Sequence, residues 1–160
     1  MVKVLFVCLG NICRSPTAQG VFTALINREG LSNVVSVDSA GTGAWHVGDQ
    51  PDRRAQAAAK TRGYDLSTQR ARQIKETDFL DFDYIIAMDS QNHSDLSMKA
   101  PTNALDRIHM FLSFAPKKGL TDVPDPYYGG ADGFNHVLDL IEAASLGLLH
   151  DMRKRHFIGD

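Results

Sequence analysis

Two cysteines and an arginine lie close together in the segment VCLGNICRSP, residues 7–16. Cys8 and Arg14 are six positions apart, between an apolar run and a stretch with helical spacing. An ionised thiol is a strong nucleophile, and a guanidinium binds two oxygens of an anion through parallel hydrogen bonds. The pair therefore predicts nucleophilic chemistry on a bound oxyanion.

The position of this segment at the start of a helix also favours an anion. Free backbone N–H groups and the positive end of the helix dipole attract negative charge. Gly10 permits a positive φ, which would let the loop curve so that its N–H groups point inward. Arg14 would orient a phosphoryl group, and the same positive field favours the thiolate of Cys8. We expect Ser15 to cap the helix and donate to that thiolate, and Asn11 to pin the loop through its amide.

Cleavage of a phosphate ester also needs an acid opposite the nucleophile. Asp125 is predicted for this role, because Pro124 and Pro126 restrict the backbone on both sides of it in the loop VPDPYYGG, residues 123–130. After the alcohol has left, the same carboxylate could activate the water that hydrolyses a phosphocysteine. Asp122 is the second candidate, but it lies farther from the tyrosines and has no proline directly after it.

Strands and helices alternate along the chain. The patterns predict strands at residues 2–7, 34–39, 84–88 and 107–112. They predict three capped helices: one that begins at Pro16 with Ser15 as its cap, one that runs to residue 62 with Asp52 as its cap, and one that runs toward Lys99 with Ser90 as its cap. A fourth helix is predicted from Phe134 to Met152. This order predicts an α/β fold in a single domain, residues 1–160. It would have a four-stranded parallel sheet, helices on both faces, and a phosphate-binding loop between the first strand and the first helix. Ligands bind beyond the carboxyl ends of such strands, where the candidate residues would meet.

Composition limits the class of protein further. The chain has 160 residues, of which 43% are hydrophobic and 22% charged, as in ordinary globular domains. A formal charge of −2 argues against nucleic acid and anionic membranes as partners. The first residues lack the pattern of a signal peptide, and no segment is apolar enough to span a bilayer. Two cysteines are too few for a disulfide framework. We expect a cytoplasmic protein that is monomeric or associates weakly with itself.

Four stretches of the chain resemble the low-molecular-weight protein tyrosine phosphatases: MVKVLFVCLGNICRSP, DSAGTGAW, FDYIIAMD and DPYYGG, in this order over residues 1–130. The resemblance implies hydrolysis of phosphotyrosine in proteins or peptides through a cysteinyl-phosphate intermediate, with no metal or other cofactor. It places the catalytic roles on Cys8, Arg14 and Asp125, and structural support on Asn11, Ser15, Ser39 and Asp89. Animal members tend to have histidine where this chain has Gln69, so hydrogen bonding around the loop could differ.

The same resemblance and the loop context imply a set of substrate-binding residues. This set is Leu9, Gly10, Asn11, Ile12, Cys13, Ser15, Trp45, Tyr127 and Tyr128. Trp45 and Tyr128 would contact the flat phenol ring as walls of the pocket, and Leu9 and Ile12 would line its base. The tyrosines and Trp45 could instead be ordinary packing residues. Cys13 is either a small buried hydrophobic residue or a redox residue that traps oxidised Cys8 as a disulfide. Of the six histidines, only His46 is expected near the pocket.

Three other functions remain open. An arsenate reductase would need further cysteines, which this chain lacks. Protein arginine phosphatases on this scaffold generally have threonine in place of Ile12. A phosphopeptide-binding module could use the loop without catalysis, although the presence of a nucleophile, an arginine and an acid argues against it.

Overall fold

The computed structural model describes residues 1–127 and 129–156, except for the side chain of Ala131. Its strands are β1 (Val2–Cys8), β2 (Val35–Gly41), β3 (Tyr84–Ala87) and β4 (Ile108–Met110). Its α-helices are α1 (Arg14–Arg28), α2 (Arg53–Thr61), α3 (Asp78–Asp81), α4 (Ser90–Lys99) and α5 (Ala131–His156), and short 3₁₀ helices span Thr102–Arg107, Phe111–Phe114 and Pro116–Lys118.

The four strands form one parallel sheet in the order β2-β1-β3-β4. β1 is central because nearly all of its residues are apolar, which suits a strand buried on both faces. Val4 and Phe6 point into a core shared with α1 and α5, whereas Leu5 and Val7 point into a second core beside α3 and α4. The predicted α/β fold, with a four-stranded parallel sheet and helices on both faces, is confirmed.

The end of β1 lies where the chain order of the sheet reverses. β1 pairs with β2 on one side and with β3 on the other, so the connections after β1 and β2 leave in opposite directions. Such a reversal opens a crevice at the carboxyl ends of the strands. The segment that follows Cys8 lies at this crevice, between β1 and α1, as predicted from the sequence.

Two predicted helix caps are wrong. α1 begins at Arg14 with Cys13 as its N-cap, so Ser15 lies inside the helix and its hydroxyl is free for other contacts. Asp89, not Ser90, caps α4, because its carboxylate accepts a hydrogen bond from the backbone N–H of Asn92. The predicted Asp52 cap of α2 is confirmed by a bond from the backbone N–H of Arg54.

Strand ends differ from prediction by one or two residues. β2 continues to Gly41, because Ala40 and Gly41 pair with Val7 and Cys8 of the central strand. β4 is only three residues long, since Phe111 already begins a 3₁₀ helix. No helix in residues 1–127 or 129–156 has the length and apolar character needed to span a bilayer.

Candidate active site

The phosphate loop, residues 8–15, runs from the last residue of β1 into the first turn of α1. Cys8 is 3% exposed, and its Sγ lies 3.0 Å from the hydroxyl oxygen of Ser15. Backbone N–H groups of Thr42 and Gly43 donate to the carbonyls of Cys8 and Leu9, which fixes the loop against the end of β2. The sulfur is therefore held near the free N-terminal end of a helix, where an anion is favoured.

The positive φ of the phosphate loop lies at Asn11, not at Gly10 as predicted. Asn11 has a φ of 57°, whereas Gly10 is not among the glycines with positive φ. Asparagine tolerates this conformation better than most residues. A Cβ on Gly10 would lie 3.1 Å from the ring of His46, so Gly10 leaves room for that side chain.

The side chain of Asn11 connects three parts of the structure. Its Nδ2 donates to the hydroxyls of Ser15 at 2.8 Å and Ser39 at 3.0 Å, while its Oδ1 accepts from the backbone N–H of Arg72 at 3.0 Å. Ser39 in turn donates to the side-chain oxygen of Gln19 at 2.6 Å. The amide of Asn11 thus compensates for the unusual backbone with three hydrogen bonds, two of them buried and one partly buried.

This network directs the proton of Ser15 toward the sulfur. Because the Ser15 oxygen already accepts from Asn11, its O–H remains available as a donor. The acceptors in range are Cys8 Sγ at 3.0 Å and the carbonyl oxygen of Ala40 at 3.5 Å. A thiolate is the stronger acceptor, and the Ala40 distance is at the limit of a hydrogen bond.

Arg14 is buried, and its guanidinium is fixed from two sides. Its Nη1 lies 2.6 Å from a carboxylate oxygen of Asp89 and donates to the carbonyl of Val123 at 3.0 Å. Burial lowers the pKa of the guanidinium, but the negative charges of Cys8, Asp89 and Asp125 outweigh this and hold the pKa above its ordinary value. Arg14 is therefore a permanent cation beside the sulfur.

The acid loop, residues 124–127, lies across the cavity from the phosphate loop. The carboxylate of Asp125 lies 3.6 Å from Nη2 of Arg14, and its other oxygen accepts from the backbone N–H of Tyr127. Asp122, the rival acid, instead accepts two hydrogen bonds from Ser90 at the start of α4. Of the two candidates, Asp125 is the one whose carboxyl meets Arg14.

A cavity of about 440 Å³ lies between these loops. Its lining consists of Cys8, Leu9, Gly10, Ile12, Cys13, Arg14, Trp45, His46, Asp125 and Tyr127. Trp45 is 73% exposed and Leu9 is 42% exposed, so both lie at the mouth, whereas Leu9 was expected at the base. Tyr128, the other predicted wall, lies outside the described residues.

Two members of the predicted binding set support the cavity from behind. The side chains of Asn11 and Ser15 are buried in the hydrogen-bond network, and neither belongs to the described lining of the cavity. Ser39 and Asp89, predicted as supports, contact Asn11 and Arg14 respectively. Gln69 donates to the carbonyl of Pro16 at 3.0 Å, so it reaches the first turn of α1.

Cys13 differs from Cys8 in its surroundings. It packs in a small apolar cluster with Ala55 and Phe134. Burial, followed by the negative charges of Asp52, Cys8 and Asp125, raises the pKa of its thiol to about 12. Both cysteines are free thiols. The redox role of Cys13 stays a prediction.

Several residues that support the site were not predicted from the sequence. Gln19 lies four positions after Ser15 on α1, so helical spacing could have indicated its contact with this network. Arg72 contributes a backbone N–H, for which no residue type gives a signal. Among residues 1–127 and 129–156, no group of three or more His, Cys, Asp or Glu side chains could hold a metal ion.

Fold and site together define a class of small α/β proteins with a cysteine-containing anion loop after the first strand. Residues 3–157 match the family described as low molecular weight phosphotyrosine protein phosphatase. The chain is 46% identical over 154 residues to a putative low molecular weight protein-tyrosine-phosphatase of Synechocystis, covering 96% of this chain and 98% of that protein. This chain belongs to the low molecular weight phosphotyrosine protein phosphatase family.

Solved structures agree in fold. A protein tyrosine phosphatase from Entamoeba histolytica superposes with a TM-score of 0.94 at 40% identity, covering 96% of this chain and 98% of that chain. A Drosophila arginine phosphatase superposes with a TM-score of 0.89 at 35% identity, covering 95% and 98%. One scaffold therefore carries relatives named for two different phosphoamino acids.

Proposed function

We propose that this protein hydrolyses phosphotyrosine in proteins and peptides through a cysteinyl-phosphate intermediate on Cys8. The observation that carries the proposal is the convergence of the Cys8 sulfur, the Arg14 guanidinium and the Asp125 carboxyl on one cavity. Family membership supports a hydrolase of this kind. Each group supplies a different requirement of phosphoryl transfer: a nucleophile, charge stabilisation and a proton.

In the first step, the thiolate of Cys8 attacks phosphorus as the bond to the phenolic oxygen breaks. Protonated Asp125 gives its proton to that oxygen, so tyrosine leaves as a neutral phenol. Arg14 and backbone N–H groups of the phosphate loop hold the equatorial oxygens, where charge is spread in the transition state. The hydroxyl of Ser15 lies 3.0 Å from the sulfur and stabilises it by donating a hydrogen bond when the sulfur is an anion.

In the second step, the Asp125 carboxylate takes a proton from water, which attacks the phosphocysteine. The S–P bond breaks, inorganic phosphate leaves, and the thiolate of Cys8 is restored. No oxidant, reductant or metal is needed to balance either step. One carboxyl thus acts first as the acid and then as the base.

The shape of the cavity supports an aromatic ester as substrate. The sulfur is buried, whereas the aromatic rings of Trp45 and Tyr127 lie at the exposed mouth. A phenyl ester can reach past these rings while its peptide backbone stays outside. A phosphoserine side chain is shorter and would need the peptide itself to enter the cavity.

Hydrolysis of p-nitrophenyl phosphate by the parent, Cys8→Ser and Asp125→Asn proteins tests the mechanism. We expect no detectable turnover for Cys8→Ser. Asp125→Asn should lower kcat/KM for phenyl phosphate by about 10²-fold or more, but much less for p-nitrophenyl phosphate, whose leaving group needs no proton. Turnover by Cys8→Ser would exclude the covalent route, and equal losses on both esters would exclude Asp125 as the acid.

Arginine phosphatase activity is the second candidate, because a relative with that name shares the fold at 35% identity. Ile12 lines the cavity here, where the sequence resemblance associates threonine with that activity. One peptide carrying phosphotyrosine, phosphoserine or phosphoarginine at a single position separates the candidates. We expect the phosphotyrosine form to have the highest kcat/KM. Binding of the phosphopeptide by an inert parent protein would instead favour a non-catalytic module.

We further propose a cytoplasmic location and a monomeric or weakly associating protein. Two free cysteines support a reducing compartment, and a formal charge of −2 offers no broad basic surface for nucleic acid or anionic membranes. Sedimentation at several protein concentrations would test the oligomeric state. A stable dimer at micromolar concentration would contradict this part of the proposal.

A further inference from the structure

Arg54, in the first turn of α2, contacts two aromatic rings outside the catalytic set. Its guanidinium carbon lies 5.3 Å from the ring centre of Tyr127 and 5.0 Å from that of Phe134. The same guanidinium makes two hydrogen bonds to Asp52, from Nε at 3.1 Å and from Nη2 at 3.0 Å. Both ring distances are within the range of cation–π attraction, and the paired carboxylate fixes the plane of the guanidinium.

These contacts join the two loops that face the cavity. On one side, the backbone N–H of Asp52 donates to the carbonyl of Ile12 in the phosphate loop at 2.8 Å. On the other side, the backbone N–H of Tyr127 donates to Asp125 at 3.0 Å, so the position of Tyr127 and that of the acid are linked. Arg54 therefore connects the phosphate loop to the acid loop through Asp52 and Tyr127.

The need for this connection follows from the reaction cycle. In the structure, Asp125 is drawn toward the cavity by the charge of Arg14 at 3.6 Å. Before the first step, Asp125 must be protonated, and a neutral carboxyl no longer pairs with Arg14, so this ion pair is lost. The contact of Tyr127 with Arg54 does not involve the reacting groups, so neither chemical step requires it to break.

We propose that Arg54 is a positioning residue that holds the acid loop over the cavity while Asp125 donates its proton. The inference rests on the proposed phosphatase activity and adds a residue that does not touch the reacting atoms. Removal of the Arg54 guanidinium should impair the protonation of the leaving group and leave anion binding at the phosphate loop unchanged.

The test compares Arg54→Met with Arg53→Met, its neighbour on α2. Arg53 is exposed, and in the described part of the chain it has no ion pair or side-chain hydrogen bond, so it controls for the loss of a surface charge. The measured quantity is kcat/KM for phenyl phosphate and for p-nitrophenyl phosphate. For Arg54→Met, we expect kcat/KM to fall about tenfold on phenyl phosphate and less than twofold on p-nitrophenyl phosphate. The loss on phenyl phosphate is smaller than that expected when the general acid itself is removed, because Asp125 is still present. Arg53→Met should match the parent on both esters.

A double variant shows whether Arg54 acts through Asp125. In the Asp125→Asn background, Arg54→Met should cause no further loss on phenyl phosphate, because the proton it helps to deliver is already absent. Inhibition by inorganic phosphate should be unchanged in Arg54→Met. Equal losses on both esters, additive losses in the double variant, or weaker phosphate inhibition would overturn the role of Arg54. A parent protein inert on both esters would overturn the phosphatase proposal itself.

Discussion

The phosphate loop and the acid loop face the same cavity, but they are held in different ways. Asn11, Arg14 and Ser15 of the phosphate loop are all buried and bonded to other parts of the chain. In the acid loop, the side chain of Asp125 is 38% exposed, and its hydrogen bond to Tyr127 is a local one. The anion site is therefore built into the core, whereas the acid lies on a surface loop.

This difference fits the demands on the two loops. The phosphate loop must present its donors to the same tetrahedral group in every turnover, and preorganised donors need no rearrangement during the reaction. The acid loop must admit a bulky protein substrate and release the product. Segments that move are drawn from the regions with few buried contacts. Changes in the phosphate loop should thus reduce turnover or the stability of the fold, and changes at the exposed mouth of the cavity, where Trp45 lies, should affect substrate binding.

Among the variants that compare the ways in which the two loops are held, Arg14→Lys in the phosphate loop has the largest expected effect on activity. A single ammonium cannot contact Asp89, the carbonyl of Val123 and a phosphoryl group in the planar geometry of the guanidinium. We expect kcat/KM for p-nitrophenyl phosphate to fall about 10²–10³-fold. Steady-state kinetics on folded protein would measure this, and a loss below tenfold would show that charge alone suffices.

Asn11 allows the strain and the hydrogen bonds of the phosphate loop to be separated. Asn11→Ala removes three hydrogen bonds, two of them buried and one partly buried, and leaves a φ of 57° on a residue that disfavours it. We expect a loss of roughly 3 kcal/mol in the free energy of unfolding by urea. Asn11→Gly loses the same bonds without the strain and should be about 1 kcal/mol more stable than Asn11→Ala. Equal stability of the two variants would mean that the strain is negligible.

Two nearby glycines compare the anion site with the mouth directly. A Cβ on Gly41 would lie 2.8 Å from the carbonyl oxygen of Leu9, which is backbone, whereas a Cβ on Gly43 would overlap the ring of Trp45, which is exposed. We expect Gly41→Ala to destabilise the fold by about 1–3 kcal/mol and to lower kcat. Gly43→Ala should displace the ring and raise KM roughly threefold with kcat unchanged. Similar kinetics for both variants would contradict the distinction between the two regions.

The last prediction concerns the protonation of the Cys13 thiol, which takes no part in the proposed catalytic steps. Because the pKa of this thiol is raised from 9.0 to about 12, the thiol form persists in the folded protein at neutral and mildly alkaline pH. In a Cys8→Ser background, which removes the charge of Cys8 but keeps the burial and the charge of Asp52, modification of Cys13 by iodoacetamide should still be about 10²-fold slower at pH 7 than in the unfolded chain, since each pKa unit is a factor of ten. Mass spectrometry would follow it. A native rate that levels off near pH 9 would contradict the prediction.

The features that could be predicted from the sequence are mostly those that depend on residues close together in the chain. The chemistry of Cys8 and Arg14 was predictable because both lie within one short segment between a strand and a helix, where local rules apply. Asp125 was predicted as the acid from its flanking prolines and the family resemblance, and its carboxylate lies 3.6 Å from Arg14. The order of strands and helices followed from alternating apolar patterns. Each of these features depends on neighbours in the chain.

The remaining features depend on contacts between distant residues. The positive φ falls on Asn11 because Ser39 and Arg72 hold its amide, and neither contact is visible in the segment itself. The contact between Arg54 and Tyr127 spans 73 positions of the chain.

The sequence by itself thus determined the fold class, placed Cys8 and Arg14 in the loop after the first strand, and predicted Asp125 as the acid. Only the tertiary structure decided which residues hold those groups in place, because hydrogen bonds and ring contacts form wherever the folded chain brings their partners together.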